Sequence, residues 1–353
     1  MEVFVFMYIT MLMVNFISNY IAGNNKRIFQ AVSCFLVLWL IQGLRHESIG
    51  VDTAYEYRPY FESIITDWSD IFDFSDSYHN FEIGYIIYNK IFKFLISDNT
   101  QLFVLFSSLL SIGPIAYVIY KYSVNIVLSF WIFSSIQMYY FGFSGIRQAI
   151  TIGICCLAYH FIVQKRILSF SALVLFASTF HTTAIIFLPA YFVYHKINFT
   201  PKLVLCSLVG IVLAIFSLRT FALQVVTFLF GGEKYISALS SDVAPSYNLI
   251  LLFVSILLFT YISANKDLGK MRPFVLITIA FQVLGLISTH ATRIGYYYYV
   301  FFSLVIPLVI ETCSINMKIN IIKFSLYLFF CAFFFYTNGN GYLGVIPYKF
   351  FWE

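Results

Sequence analysis

The residues best suited to chemistry are cationic side chains that stand at the ends of apolar runs. Arg147 lies in YYFGFSGIRQ, His181 in ASTFHTTAIIF, and His290 and Arg293 in STHATRIGYYYY. A planar guanidinium binds phosphates through paired hydrogen bonds, and an imidazole can take up a proton near neutral pH. Ionisable groups in apolar surroundings are costly and usually mark a functional site. Together these residues indicate a site for an anionic ligand, whereas any one arginine alone is explained as a snorkelling side chain.

The stretch from Arg45 to Phe61, RHESIGVDTAYEYRPYF, concentrates charge in the same way. It follows directly on an apolar run that ends at Leu44, and it holds two arginines, three carboxylates and three tyrosines. Arg45 is a candidate phosphate ligand, and Asp52 is a candidate proton acceptor. On this stretch alone, an ordinary solvated loop explains the residues equally well.

Composition decides the class of protein. The chain has 353 residues, of which 61% are hydrophobic and 10% are charged, whereas about a quarter of a soluble domain is charged. The sequence therefore predicts a protein embedded in the lipid bilayer. It contains no glycine-rich nucleotide loop, no histidine cluster with metal spacing and no serine nucleophile elbow, so we expect no cofactor and no metal. The net charge of +5 fits basic membrane loops and calls for no nucleic-acid partner.

Apolar runs of about 20 residues predict membrane-spanning helices. Segment 167–195 is interrupted by His181 and Pro189, so we expect two short helices that meet near His181. Segment 83–97 predicts an amphipathic or re-entrant helix at the interface. The sequence thus predicts an all-α, polytopic membrane protein with about twelve transmembrane helices in one domain, 1–353. The other predicted spans are 3–22, 28–44, 101–120, 124–142, 146–164, 203–219, 247–264, 273–290, 295–312 and 321–337.

Charge sets the predicted orientation. Basic loops face the cytoplasm, whereas nine of the sixteen acidic residues lie between Glu47 and Glu82. We therefore expect one long outward-facing loop, 45–82, that carries short or amphipathic helices, and both termini outside. In this topology the unusual polar residues all fall on the outer side: Arg45, Asp52, Arg58, Arg147, His181, His290 and Arg293.

Four stretches in fixed order also resemble the EpsG-like branch of the Wzy-type bacterial polysaccharide polymerases. They are GLRHESIGVDTAYEY (43–57), EIGYIIYNKIF (82–92), SGIRQAITIGICCLAYHFIVQKR with FASTFHTTAIIFLP (144–189), and ATRIGYYYYVFFSLVIP (291–307). VIPYKFF (345–351) matches as well. The family pattern Arg-Tyr-x-x-Gly-x-Asp-Tyr is altered here, because His46 replaces the tyrosine and one extra residue precedes Gly50.

The resemblance implies a GT-C-like glycosyltransferase of the bacterial inner membrane whose active site faces the periplasm or exterior. Its substrate would be an oligosaccharide repeat unit on undecaprenyl pyrophosphate, and it would build O-antigen, capsular or exopolysaccharide chains. A chain-length regulator protein is an expected partner. The expected roles place Arg147 and Arg293 on the pyrophosphate, with Arg45 on the second phosphate or on a phosphate of the acceptor. His181 or Asp52 would be the general base. Tyr55, Glu56, Arg58 and His290 would contact the sugars.

Two other functions remain open at the sequence level. An O-antigen ligase would use the same donor, but it predicts a large outer loop late in the chain. A non-enzymatic transporter of lipid-linked oligosaccharide predicts cations at mid-span. The early position of the long loop and the cations at junctions favour the polymerase.

Overall fold

A computed structural model describes residues 1–64, 81–196, 245–264, 266–286, 288–312, 318–339 and 341–353. Within these ranges every regular element is a helix, and the only β-type pairing is an isolated bridge between Arg45 and Phe350. The predicted all-α class is therefore confirmed. The chain divides into two compact units, a first unit of residues 1–188 and 300–353 and a second unit of residues 189–299. The prediction of one domain stays a prediction.

Helices of the first unit alternate between long apolar rods and short pieces. Asn99 caps one of the rods, since its side chain accepts a hydrogen bond from the Leu102 backbone N–H at 3.0 Å. The α-helices before residue 189 in the described ranges are α1 (Glu2–Ile17), α2 (Gly23–Gly43), α3 (Arg58–Ser63), α4 (Ile83–Leu95), α5 (Thr100–Tyr122), α6 (Ile126–Ser135), α7 (Gln137–Phe141), α8 (Ile146–Val163) and α9 (Ile167–Ser178).

The second unit contains α10 (Pro189–Lys196), α11 (Pro245–Ala264), α12 (Arg272–Gly285) and α13 (Thr289–Tyr299). Polar side chains join its helices. The Asn248 side-chain amide donates to the Gly285 carbonyl and the Thr292 hydroxyl, each at 3.0 Å, and the Ser255 hydroxyl donates to Gln282 at 2.8 Å. Such bonds between helices replace the hydrophobic driving force that lipid surroundings lack.

The chain then returns to the first unit through α14 (Phe302–Thr312) and α15 (Lys318–Asn338). Both helices pack against α6, while α5 packs against α2 and α8. An aromatic core lies between α3, α4, α5 and α8, where the rings of Phe61 and Phe103 stack at 4.3 Å.

Six helices in the described ranges are long and apolar enough to cross a membrane, and a seventh span follows if α13 and α14 count as one. The predicted span 203–219 lies outside the described residues, as do Asp67, Asp70, Asp73 and Asp76 of the acidic loop. The count of about twelve crossings stays a prediction. Helix α4 has 13 residues, about 20 Å at 1.5 Å per residue, so it is too short to cross a hydrocarbon core of about 30 Å.

Two spans predicted as continuous helices are wrong in that respect. Segment 124–142 is interrupted at Ile136, whose ψ of 139° is extended, between α6 and α7. Segment 295–312 is divided between α13 and α14. The hydropathy of an apolar run does not register a local break, because the residues on both sides remain apolar.

The loop after α2 is fixed at its base by the last residues of the chain. The His46 N–H donates to the Lys349 carbonyl at 3.0 Å, and the Phe351 N–H donates to the Leu44 carbonyl at 2.9 Å. Gly50 then turns the loop with a φ of +86° and lies directly against the Phe143 carbonyl. A side chain at Gly50 would be strained in this left-handed conformation and would also collide with the backbone.

We therefore expect Gly50→Ala to destabilise the protein by about 1–3 kcal/mol, because strain and collision act together. Gly113→Ala is the matched control, since it lies inside α5 and its added Cβ would meet only Leu109 at 3.7 Å. Thermal unfolding of the two purified variants in detergent measures the difference. Equal melting temperatures would contradict the tight approach of the loop to Phe143.

Candidate functional site

Glu82 connects two of the predicted site residues at one end of the first unit. Its Oε1 accepts a hydrogen bond from His181 Nδ1 at 3.0 Å and another from the Thr182 backbone N–H at 3.0 Å. Its Oε2 accepts from Arg147 Nη1 at 2.5 Å. One carboxylate thus joins the start of α4, the start of α8 and the break after α9. Arg147 and His181, which are 34 residues apart in the sequence, belong to one cluster.

A close backbone approach makes this cluster possible. The Gly84 N–H donates to the Thr179 carbonyl at 2.8 Å, and a Cβ at Gly84 would overlap Thr179. Glycine is therefore needed here, because the first turn of α4 lies against the end of α9. Helix α9 ends at Ser178, and His181 is extended with a φ of −157°. This extended conformation directs the imidazole toward Glu82. The helix break that the sequence predicts near His181 is therefore present.

Aromatic rings surround the Arg147 guanidinium. Its central carbon lies 4.3 Å from the centre of the Phe81 ring, 5.6 Å from Tyr57 and 5.9 Å from Tyr85. Its Nε donates to the Tyr57 hydroxyl at 3.4 Å. Ring faces attract a cation while they exclude water. The bonds to Glu82 and Tyr57 use two of the five guanidinium N–H donors, so the group is held in place and retains donors for a ligand.

The charges and hydrogen bonds around Glu82 determine its pKa and the position of the proton on a neutral His181 ring. Burial raises the pKa of Glu82, but the hydrogen bonds from His181 and Thr182 and the charge of Arg147 outweigh it and lower that pKa to about 2. A carboxylate this acidic is a poor proton acceptor at neutral pH. Because it accepts from Nδ1, a neutral His181 ring carries its proton there and leaves Nε2 as the acceptor. In this geometry Glu82 orients the imidazole, and Nε2 of the neutral His181 ring can accept a proton.

Asp52 lies near this cluster in the first unit. Its backbone N–H donates to the Ser144 hydroxyl at 2.9 Å, which fixes the loop three residues before Arg147. Burial raises the pKa of Tyr57, the Arg147 charge and hydrogen bond lower it, and the charges of Asp52 and Glu56 add to the rise. Asp52 therefore acts electrostatically on the same phenol that contacts Arg147. Its predicted role as a base stays a prediction.

Arg45 occupies a different environment. The residue is 1% exposed, and its guanidinium donates to the Gln42 carbonyl, to Thr53 at 3.2 Å and to Ser108 at 3.4 Å. Burial lowers the pKa of Arg45 to about 9. These contacts tie the loop after α2 to α5, so this geometry gives the expected phosphate contact of Arg45 no support.

Some of the residues expected to contact sugars have exposed side chains, whereas others form hydrogen bonds within the fold. Tyr55 is 79% exposed, and Glu56 is exposed beside it. Arg58 is buried and donates to the Gln101 side chain at 2.9 Å, with Glu47 at 3.7 Å. Only Tyr55 and Glu56 of these three are therefore presented to solvent for a ligand.

His290 and Arg293 belong to the second unit. His290 is exposed in the first turn of α13, and Arg293 lies one turn later, next to Thr292 of the Asn248 network. Their predicted roles toward sugar and pyrophosphate stay predictions. Among the described residues, no group of three or more His, Cys, Asp or Glu side chains could hold a metal ion.

Glu82 is the member of the cluster to which the sequence assigns no role. It appears there as one of nine acidic residues of an outward loop and as the first residue of EIGYIIYNKIF (82–92). Two signals distinguish it from the others: it immediately precedes an amphipathic helix, and Gly84 follows two residues later. Phe81 and Tyr57, which surround Arg147, were also missed because aromatic residues are common in this chain, at 21%.

The cluster predicts a specific loss of stability in acid. The pKa of Glu82 lies at about 2 in the folded state and at about 4.3 in an unfolded chain. Its stabilisation is therefore complete above pH 5 and is lost as the pH falls toward 2. We expect this contribution to be on the order of 2 kcal/mol, since the solvent contact of the carboxylate screens part of it.

Thermal unfolding from pH 7 to pH 3 tests this expectation. Glu82→Gln should be less stable than wild type at pH 7 and should lose less stability on acidification. The control is Glu47→Gln, because the Glu47 side chain is 72% exposed and such a change costs within about 0.5 kcal/mol. The same acid profile in Glu82→Gln and wild type would show that the carboxylate does not hold the cluster.

Comparison with known proteins identifies a family. The model of the EpsG family matches residues 28–350, which include the Glu82, Arg147 and His181 cluster. No curated protein and no solved structure matches the chain. The described part carries several helices that are long and apolar enough to span a membrane. Because the family model covers most of the sequence, the chain belongs to the EpsG family.

Proposed function

We propose that the chain is a polymerase that joins oligosaccharide repeat units carried on undecaprenyl pyrophosphate into O-antigen, capsular or exopolysaccharide chains. The observation that carries this proposal is the Glu82 carboxylate shared between Arg147 and His181. It brings an anion-binding group and a proton acceptor together at one end of the first unit. Family membership supports the same reaction class.

In the proposed reaction a hydroxyl group of the incoming repeat unit attacks the anomeric carbon of the growing chain. That carbon is bonded to the undecaprenyl pyrophosphate of the growing chain. The bond between that carbon and the pyrophosphate oxygen breaks, and undecaprenyl pyrophosphate leaves with the electron pair. His181 Nε2 takes the hydroxyl proton, while Arg147 stabilises the charge that develops on the diphosphate. Glu82 is a positioning residue that fixes the imidazole tautomer and the guanidinium. Asp52 is the second candidate base.

The remaining parts of the proposal concern the surroundings of this cluster. Arg293 would add a second cation to the diphosphate, and Tyr55, Glu56 and His290 would meet sugar hydroxyls. The exposure of Tyr55, Glu56 and His290 supports this assignment. The proposal keeps a GT-C-like arrangement of about twelve crossings in the bacterial inner membrane, with the site facing outward. A chain-length regulator protein is the proposed partner.

Removing the Arg147 guanidinium should abolish long chains. One preorganised donor to developing charge is worth about 10²–10³-fold in rate, so Arg147→Ala should leave single repeat units on surface lipid. Arg147→Lys should recover little, because an ammonium cannot form the paired bonds of the planar group. Arg166→Ala is the matched control, since this exposed arginine follows the opposite end of the same helix.

Gel profiles of surface polysaccharide from a deletion strain that carries each variant, at equal protein levels, provide the measurement. A wild-type ladder in Arg147→Ala would end the assignment. The deletion strain that carries an empty vector also tests the overall function. A ladder that collapses to one rung indicates a polymerase, whereas complete loss of polymer from lipid A indicates a ligase.

The base is tested in a purified assay with a lipid-linked repeat unit. His181→Ala and His181→Gln should both lose about 10²–10⁴-fold in rate, because glutamine can accept a bond but cannot take up the proton. Added imidazole should partly restore His181→Ala. Glu82→Gln should lose about 10–100-fold, as expected for an orienting partner. Near-normal turnover by His181→Gln, together with a strong loss in Asp52→Asn, would transfer the role to Asp52.

A further inference from the structure

A basic cavity lies at the end of the first unit opposite Glu82. Arg147 of the cluster lies in the first turn of helix α8, and His160 in the last turn of α8 bonds Tyr122 at the end of α5. Arg27 of the cavity donates to the Tyr120 carbonyl at that same end of α5. The cavity has a volume of about 540 Å³ and is lined from α1, α2, α6 and α15. Three of its lining residues are cations, Lys26, Arg27 and Lys323, and none of the described lining residues is acidic.

The cations are held at the wall by neutral partners with one exception. Arg27 Nη2 donates to the Tyr120 and Ser123 carbonyls at 2.7 and 3.0 Å, and Lys26 donates to Asn19 at 3.2 Å. Lys323 pairs with Glu311 at 2.6 Å. Among the described residues, three positive charges therefore face one carboxylate, which leaves the cavity with a net positive charge. Arg27 is also fixed in place by the carbonyls at the C-terminal end of α5.

Amide side chains supply neutral polar groups beside these charges. Asn15, Gln30 and Asn125 line the cavity. Gln30 is buried and donates to the Ser18 hydroxyl at 2.8 Å, so its amide carbonyl keeps a fixed orientation. Amides next to cations can bind both the phosphate and the hydroxyl groups of a polar ligand.

The same cavity also has an apolar side. Leu12 and Phe324 belong to its lining, yet they are 45% and 63% exposed. Both stand on helices that are long and apolar enough to span the bilayer. A ligand in this cavity would thus meet cations and amides at one end and exposed apolar helix faces at the other.

We propose that this cavity binds the headgroup of an anionic phospholipid, with the acyl chains along Leu12 and Phe324. Basic pockets between membrane helices on the cytoplasmic side bind such headgroups, and the basic loops predict that this end faces the cytoplasm. A soluble anion would use the cations but leave the apolar side uncovered, so the lipid explains both features. The site does not depend on the proposed polymerase reaction.

Lipid titration of the full-length protein in detergent tests the site. Native mass spectrometry counts bound phosphatidylglycerol or phosphatidylcholine of the same chain length, and thermal shifts with either lipid or inorganic phosphate are recorded in parallel. We expect wild type to bind one phosphatidylglycerol at least tenfold more tightly than phosphatidylcholine. The K26Q/K323Q variant should bind about 30-fold more weakly, since each basic residue contributes on the order of 1 kcal/mol and 1.4 kcal/mol is a factor of ten.

The control K165Q/R166Q also removes two positive charges, from exposed residues that do not line the cavity, and should stay within about twofold of wild type. If the double variant fails to fold, Lys26→Gln alone replaces it in the test, because Lys323 then remains to pair with Glu311. Equal affinity of wild type for the two lipids would overturn the proposal. So would an equal loss in the control, or a shift by inorganic phosphate as large as that by phosphatidylglycerol.

Discussion

A shared carboxylate is the interaction on which the rest of the site depends. Glu82 brings together a guanidinium from α8 and an imidazole from the break after α9, and these contacts, with the Thr182 backbone N–H, compensate its burial. If one member of such a group is removed, the remaining charge stays in a poorly solvated place without a partner. The free-energy cost of that change exceeds the net stability that the ion pair contributes. The arrangement is therefore cooperative: the position of Arg147 and the tautomer of His181 are set by the same two oxygen atoms.

Backbone features hold the carboxylate where it can make these contacts. Gly84 allows the start of α4 to lie on Thr179, and Gly50 allows the loop after α2 to lie on Phe143. Lys93 of α4 donates to the Phe61, Glu62 and Ile64 carbonyls at 2.7–2.9 Å, which fastens the end of α3. The two glycines allow direct main-chain contacts, and the Lys93 side chain binds three main-chain carbonyls, so the site rests on fixed backbone positions.

The sequence placed Arg147 and His181 at the ends of helices, but it did not predict which residues lie next to them. Arg147 and His181 were found because a cation at the end of an apolar run is unusual, and the break near His181 is present in the structure. Glu82 was missed since a carboxylate in an acidic loop is ordinary until its partners are known. Arg45 satisfied the same rule as Arg147, but its guanidinium binds Gln42, Thr53 and Ser108 within the fold. Which helix lies beside which depends on packing contacts that hydropathy does not encode.

Charge balance explains why the proposed glycosyl transfer, in which a diphosphate is the leaving group, suits this cluster. With a neutral imidazole, the charges of Arg147 and Glu82 cancel, so the resting site can remain partly buried without a counterion. When His181 takes the acceptor proton in the proposed reaction, the cluster gains one positive charge. The departing diphosphate gains negative charge in the same step. The low pKa of Glu82 keeps it from taking up that proton, so the positive charge remains available to the leaving group.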